Sequence, residues 1–230
     1  MVAKVGTTGS PIGNKYRLSC AAGRNRRADM PVHEVSFDRS SYGAQTRMAS
    51  VAEAEPAIGF YTVEQSEFTG WTGGLLVLNA SGRPLEFQCT LPIRPSRAHE
   101  ILYGATLRDY LIGDAIGSLL ISRCRNTPRM ICCDQPEALH LDVHTDCPML
   151  LVCEAAETDE GPITDDMLPG YDRLELAGSS LRVATERSEE VSRLLGKFRS
   201  LPDIVEPFGR IREAIGEAQK QVARARSAAA

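Results

Sequence analysis

Gly74-Leu75-Leu76-Val77-Leu78-Asn79, then Ala80-Ser81-Gly82-Arg83, then Pro84-Leu85-Glu86-Phe87-Gln88-Cys89-Thr90-Leu91 is the stretch that decides the fold. The first six residues read as an apolar strand and the next four as a turn. In the last eight, Leu85, Phe87, Cys89 and Leu91 alternate with Glu86, Gln88 and Thr90, so one face is buried and the other is wet. Gly82 supplies the positive φ that a tight hairpin turn favours.

Working outward, Ile58–Val63 reads as a strand and Gly70–Gly74 as a break before the hairpin. Pro92 and Pro95 stop the second strand, and Ser96 stands where an N-cap belongs for a short helix through Tyr103, closed by Gly104. Thr106-Leu107-Arg108-Asp109 has capping-box spacing and opens a longer helix to about Ile121. Gly113 and Gly117, four apart, share a face where another element can approach closely. Arg129–Cys133, Ala138–His144 and Met149–Glu154 then read as three short strands. The expected fold class is α+β: an antiparallel sheet built from a β-hairpin, a helical crossover and a β-meander, with a C-terminal helical pair. This order resembles that of the roadblock and profilin-like folds, in topology only and over about 80 residues.

The flanks differ from this centre. Residues 1–57 are rich in Gly, Ser, Arg and Ala and read as a basic, largely disordered arm with a short strand at Val32–Phe37. Residues 58–183 form the expected core domain, and 184–230 the C-terminal helices. Residues 155–175 form an acidic loop, and Leu174–Val183 reads as one more strand or a hairpin, turning at Gly178-Ser179. Val191, Leu194, Leu195 and Phe198 follow i, i+3, i+4, i+7 spacing, with Glu186, Glu189 and Glu190 ahead of them. Phe208, Ile211 and Ile215 continue on a second helix. These seven apolar residues form a stripe expected to meet either the core or a partner helix.

Composition sets the bounds. The 230 residues are 43% hydrophobic and 24% charged, enough for a core without disulfides or metals. No apolar run approaches the roughly 20 residues of a membrane helix, so no membrane association is expected. The N-terminus lacks the apolar segment of a secretory signal, and seven cysteines, an odd count, lie mostly among apolar neighbours. Reduced, buried thiols in a cytoplasmic protein fit that pattern. Residues 1–50 carry eight Lys/Arg against three Asp/Glu, whereas residues 154–175 carry one against eight. Basic ends around an acidic middle suit contact with an acidic surface or self-association.

Several motifs carry candidate chemistry. On a strand, His140, Asp142 and His144 would share a face, with neighbours about 6.6 Å apart, and Cys147 follows; these are zinc-type ligands. Against this, there is no Cys-x-x-Cys pair, and His140 and His144 would stand about 13 Å apart on an extended strand. His99-Glu100 only partly imitates the His-x-Glu pattern of zinc deaminases, because the two residues are adjacent and no Pro-Cys-x-x-Cys follows. Cys124, between Arg123 and Arg125, has electropositive surroundings, but a helix C-terminus disfavours its thiolate. Lys15, Arg17, Arg24, Arg26 and Arg27 are candidate contacts to nucleic acid or a partner, although the overall pI near 5.7 argues against a dedicated nucleic-acid domain.

No nucleophile, base and oxyanion site assemble in the sequence, and no cofactor fingerprint appears, zinc being the one metal considered. The leading expectation is a non-enzymatic cytoplasmic interaction or scaffold protein that self-associates or docks into a larger protein assembly. The alternatives are a metal- or thiol-dependent enzyme or regulator using His140, His144 and Cys147, and nucleic-acid binding through the arm.

Overall fold

A computed structural model describes residues 32–35, 55–156 and 161–228. Its eight strands are β1 (Val32–Val35), β2 (Ala57–Ser66), β3 (Gly70–Asn79), β4 (Pro84–Thr90), β5 (Ile131–Cys133), β6 (Met149–Val152), β7 (Tyr171–Leu176) and β8 (Ser179–Ala184). They form one sheet in the order β1-β4-β3-β2-β5-β6-β8-β7. The helices are α1 (Arg97–Tyr103), α2 (Leu107–Asp109), α3 (Gly117–Arg123), α4 (Ser188–Leu195) and α5 (Glu206–Ala228). A seven-residue π-helical segment, Tyr110–Ile116, joins α2 to α3.

The β3–β4 hairpin forms, but the face of β4 expected to be wet is not: Glu86, Gln88 and Thr90 are buried, because Glu86 and Gln88 bond the chain at Arg123–Asn126 and Thr90 accepts from the Gly73 N–H. Gly82 takes φ +80, and the Asn79 side chain accepts from the backbone N–H of Ser81 and Arg83 to lock the turn. The second hairpin, β7–β8, turns at Ala177-Gly178, both at positive φ.

The expected all-antiparallel sheet and its roadblock and profilin-like order are corrected. The helical crossover after β4 carries the chain past β3 to the far side of β2. There β5 pairs parallel to β2, and β6 parallel to β5. The sheet is therefore mixed. The segment 138–144 is not a strand but part of a 3-10 helical run, Pro136–Val143. Proline at its first turn suits a helical start, and the run buries Ala138, Leu139 and Leu141 while Val143 stays exposed. The Leu-x-Leu-x-Val alternation that suggested a strand is thus split between core and solvent.

The glycines before the hairpin, expected as a break, lie inside β3. Helices pack closely on both faces there. A Cβ at Gly73 would stand 2.1 Å from Ile116 Cγ2 on one face, and a Cβ at Gly74 2.4 Å from Ile211 Cγ2 on the other. Gly117 has the same role against Leu141, whose methyls lie 2.5 and 2.7 Å from a would-be Cβ, so the Gly113–Gly117 face meets a neighbour as its spacing indicated.

Two apolar layers result. One, on the α5 side, joins Ile58, Phe60, Leu76 and Leu78 of the sheet to Val191, Leu195, Phe198, Phe208, Ile211 and Ile215. Leu194 packs at its margin. The C-terminal stripe therefore closes this chain's own core and presents no face to a partner helix, because apolar residues at helical spacing bury wherever an uncovered sheet face is within reach. The opposite layer joins Tyr61, Leu75 and Val77 to Ile112, Ile116, Leu120 and Leu141.

Gly73→Ala is expected to cost about 2 kcal/mol by overpacking, read as a lower urea midpoint. Ile116→Ala in the same chain should recover part of that loss, so the double variant is more stable than the sum of the single effects requires.

Candidate functional site

In open sheets, ligands settle outside the carboxyl ends of parallel strands where the strand order reverses. Here that place lies between β2, flanked on its other side by antiparallel β3, and parallel β5. Along β2, Ile58 and Phe60 face α5, and the period of two continues that face with Thr62 and Glu64. Asp134 follows the last residue of β5. Arg212 reaches them from α5, one position past buried Ile211.

These four residues form one network. Thr62 Oγ1 donates to Asp134 Oδ2 at 2.9 Å, and Arg212 Nη2 donates to the same oxygen at 2.5 Å. Arg212 Nε reaches Glu64 Oε1 at 2.7 Å. Two turns further along α5, Gln219 Nε2 donates to Thr72 Oγ1 of β3 at 3.0 Å. Beside them the Gln135 amide accepts from the Val63 N–H at 3.1 Å and donates to the Val63 carbonyl at 2.9 Å, extending the short β2–β5 ladder with a side chain.

Asp134 is 1% exposed, and its Oδ1 has no hydrogen-bond partner among the described residues. Burial pushes its carboxyl up to about 6, outweighing the Arg212 guanidinium and the Thr62 hydroxyl, which pull it down. A perturbed carboxylate at this position has the signature of a functional group. Its access does not fit catalysis, because α5 covers it and Arg212 occupies the space between the two carboxylates. Chemically the arrangement fastens a helix across the ends of two strands. Among the described residues no group of three or more His, Cys, Asp or Glu side chains is placed to hold a metal ion.

The candidate zinc ligands are separated. His140 and His144 lie on and just after the 3-10 run, which removes the shared strand face that motivated them. His144 Nε2 lies 2.6 Å from Asp114 Oδ1 of the π-helical segment. The Cys147 thiol donates to the Pro128 carbonyl at 3.0 Å. His99 fills the N3 position of a capping box with Ser96, and Glu100 pairs with Arg97. Cys124 sits against Glu86, and burial together with that carboxylate pushes its thiol up to about 12, so the flanking arginines do not activate it. Lys15, Arg17, Arg24, Arg26 and Arg27 lie outside the described residues.

Sequence reading missed Glu64, Asp134 and Arg212. The one available signal was that polar Thr62 and Glu64 continue the apolar face of β2, which requires a polar partner to cover them. α1 offers a different feature. It is capped at Ser96, buries no residue, and leaves Ile101 67% and Leu102 80% exposed. Phe68, in the β2–β3 turn, is 84% exposed.

No protein-family description matches the chain, and no curated protein sequence matches it. Among solved structures, the crystal structure of human ENDOV is similar at 15% identity, over 73% of this chain and 87% of that one, with a TM-score of 0.38. A likeness of that degree carries no argument about this chain. Among the described residues no helix is long and apolar enough to cross a membrane.

Asp134 ties stability to pH. Its folded value near 6 lies above the unfolded 3.8, so folding favours the protonated form, and the ionised form is penalised as pH rises through this window. Between about pH 4 and 6 the wild type should lose about 2 kcal/mol relative to Asp134→Asn, measured by urea titrations at each pH. Arg212→Ala should cost about 3 kcal/mol at pH 7 by leaving a buried carboxylate unpaired, and that cost should shrink below pH 6.

Proposed function

We propose that this chain is a cytoplasmic interaction protein that self-associates through α1. The observation that carries the reading is a helix capped by a full Ser96–His99 box yet without one buried residue, exposing Ile101 and Leu102. A seven-residue helix is too short to be stable in water on its own propensity, and one that presents apolar side chains away from its own core gains from covering them. Phe68 adds a further exposed apolar side chain.

The polar network supports a non-catalytic role in the same way. Asp134 is closed over, and both it and Glu64 are paired with Arg212, which suits a rigid platform better than a reaction site. The six described cysteines are unpaired, which supports a reducing compartment. Docking into a larger assembly of other proteins uses the same exposed helix and is the second form of this reading.

Sedimentation equilibrium tests it. The wild type should associate at micromolar concentration, and Ile101→Glu with Leu102→Glu should weaken that association at least about tenfold without lowering Tm. A wild type that stays monomeric throughout, or a double variant that associates as strongly, overturns self-association through α1.

A further inference from the structure

A groove of about 270 Å³ runs between α5 and the β3–β4 hairpin. Leu76 of β3 with Pro84 and Phe87 of β4 form its floor, and Ala214 and Ala218 of α5 form its wall. The neighbouring stripe of α5 drives Ile211 and Ile215 into the core, whereas two alanines here leave the space between helix and sheet unfilled. Charges at the mouth are paired along α5 itself, Arg210 with Glu206 at 2.8 Å and Glu217 with Lys220 at 2.7 Å. The groove therefore favours an apolar occupant. Its volume falls below the roughly 300–1,000 Å³ of small-molecule sites and suits one or two side chains.

The chain itself passes this groove. β1 runs antiparallel to β4, from Val32 opposite Thr90 to Val35 opposite Phe87, so its last residue pairs with a residue of the groove floor. The chain is next in the sheet at Ala57 of β2, opposite Asn79. Three strand spacings and three residues of offset separate the two points, under about 20 Å. The 21 residues between them could extend over about 70 Å, far more than the crossing needs. The first large apolar residue among them is Phe37, two positions past Val35. Directly paired residues share a face, and a strand repeats its face every two residues. A strand continued by two residues would thus put position 37 on the side of the sheet that Phe87 occupies, which is the α5 side.

We propose that Phe37 docks in this groove of its own chain, between Leu76 and Phe87 on the sheet and Ala214 and Ala218 on the helix. The segment after β1 then fastens the β4 side of the sheet to α5. This contact is separate from the exposed face of α1 and does not depend on self-association there. A side chain tethered two residues from the groove has a high effective concentration, which another molecule would have to outcompete.

Photocrosslinking of the full chain tests it, with Phe37 replaced by p-benzoylphenylalanine and equal amounts of unlabelled and deuterated chains mixed before irradiation. Crosslinks should form within one chain, on the peptides that carry Phe87 or residues 214–218. Phe37→Ala should lower Tm by about 3–6 °C through lost burial. Ala218→Leu puts a larger side chain in the groove. It should lower Tm in the wild type by displacing Phe37 and raise it in Phe37→Ala.

Crosslinks between unlabelled and deuterated chains at those peptides assign the groove to a second copy and overturn the proposal. So does the absence of crosslinks to the groove, or an unchanged Tm in Phe37→Ala. A rise in Tm from Ala218→Leu that is equal in both backgrounds overturns it as well, because the groove is then empty in the wild type.

Discussion

The close approach of two helical layers at Gly73 and Gly74 is the constraint on which the rest of the structure depends. β3 is the third strand from one side of the sheet, and at these positions it has no side chain on either face. Ile116 enters from the π-helical segment and Ile211 from α5, each at a distance that a methyl group would forbid. That contact sets the depth of both helices over β2 and β3. The depth of α5 in turn lets Arg212 reach both Glu64 and Asp134, and Gln219 reach Thr72. The Tyr61 hydroxyl performs the matching task on the other face, donating at 2.6 Å to the Ile112 carbonyl within the π-helical segment.

Much of this order was legible locally. Although the polar face of β4, Glu86, Gln88 and Thr90, is buried rather than wet, the turn at Gly82, the cap at Ser96 and the stripe from Val191 to Ile215 appear as the periodicities require. The direction of β5 did not, because three residues of strand look the same whether they run parallel or antiparallel, and the choice depends on which side of β2 the crossover lands. The 3-10 run was misread for a related reason. Leu139, Leu141 and Val143 alternate perfectly, but Pro136 and the adjoining Gln135 contacts with Val63 turn the chain helical before a ladder can form.

The candidate site was less legible than the fold. Asp134 and Arg212 are 78 positions apart, and Glu64 and Arg212 are 148 apart, so no spacing rule connects them. His140, His144 and Cys147 were conspicuous because they are close in sequence, and the structure gives each a separate partner. Arginine adjacent to a buried isoleucine on a helix, opposite a strand whose apolar face ends in Thr and Glu, is the pattern that would have signalled the fastening. Only the topology shows that the two surfaces meet.

The outer strand β7 has a bearing on how this protein can grow into larger structures. Its backbone forms one border of the sheet, and its residues Asp172, Arg173 and Glu175 place alternating charge along that border. A strand arriving from another molecule would have to bring its own side chains alongside those charges and strip water from them. The far border is occupied by β1, paired through four residues with β4. Open-ended fibre formation by strand addition is therefore discouraged on the β7 side, and any assembly that forms through helix surfaces instead is free to close at a finite number of copies.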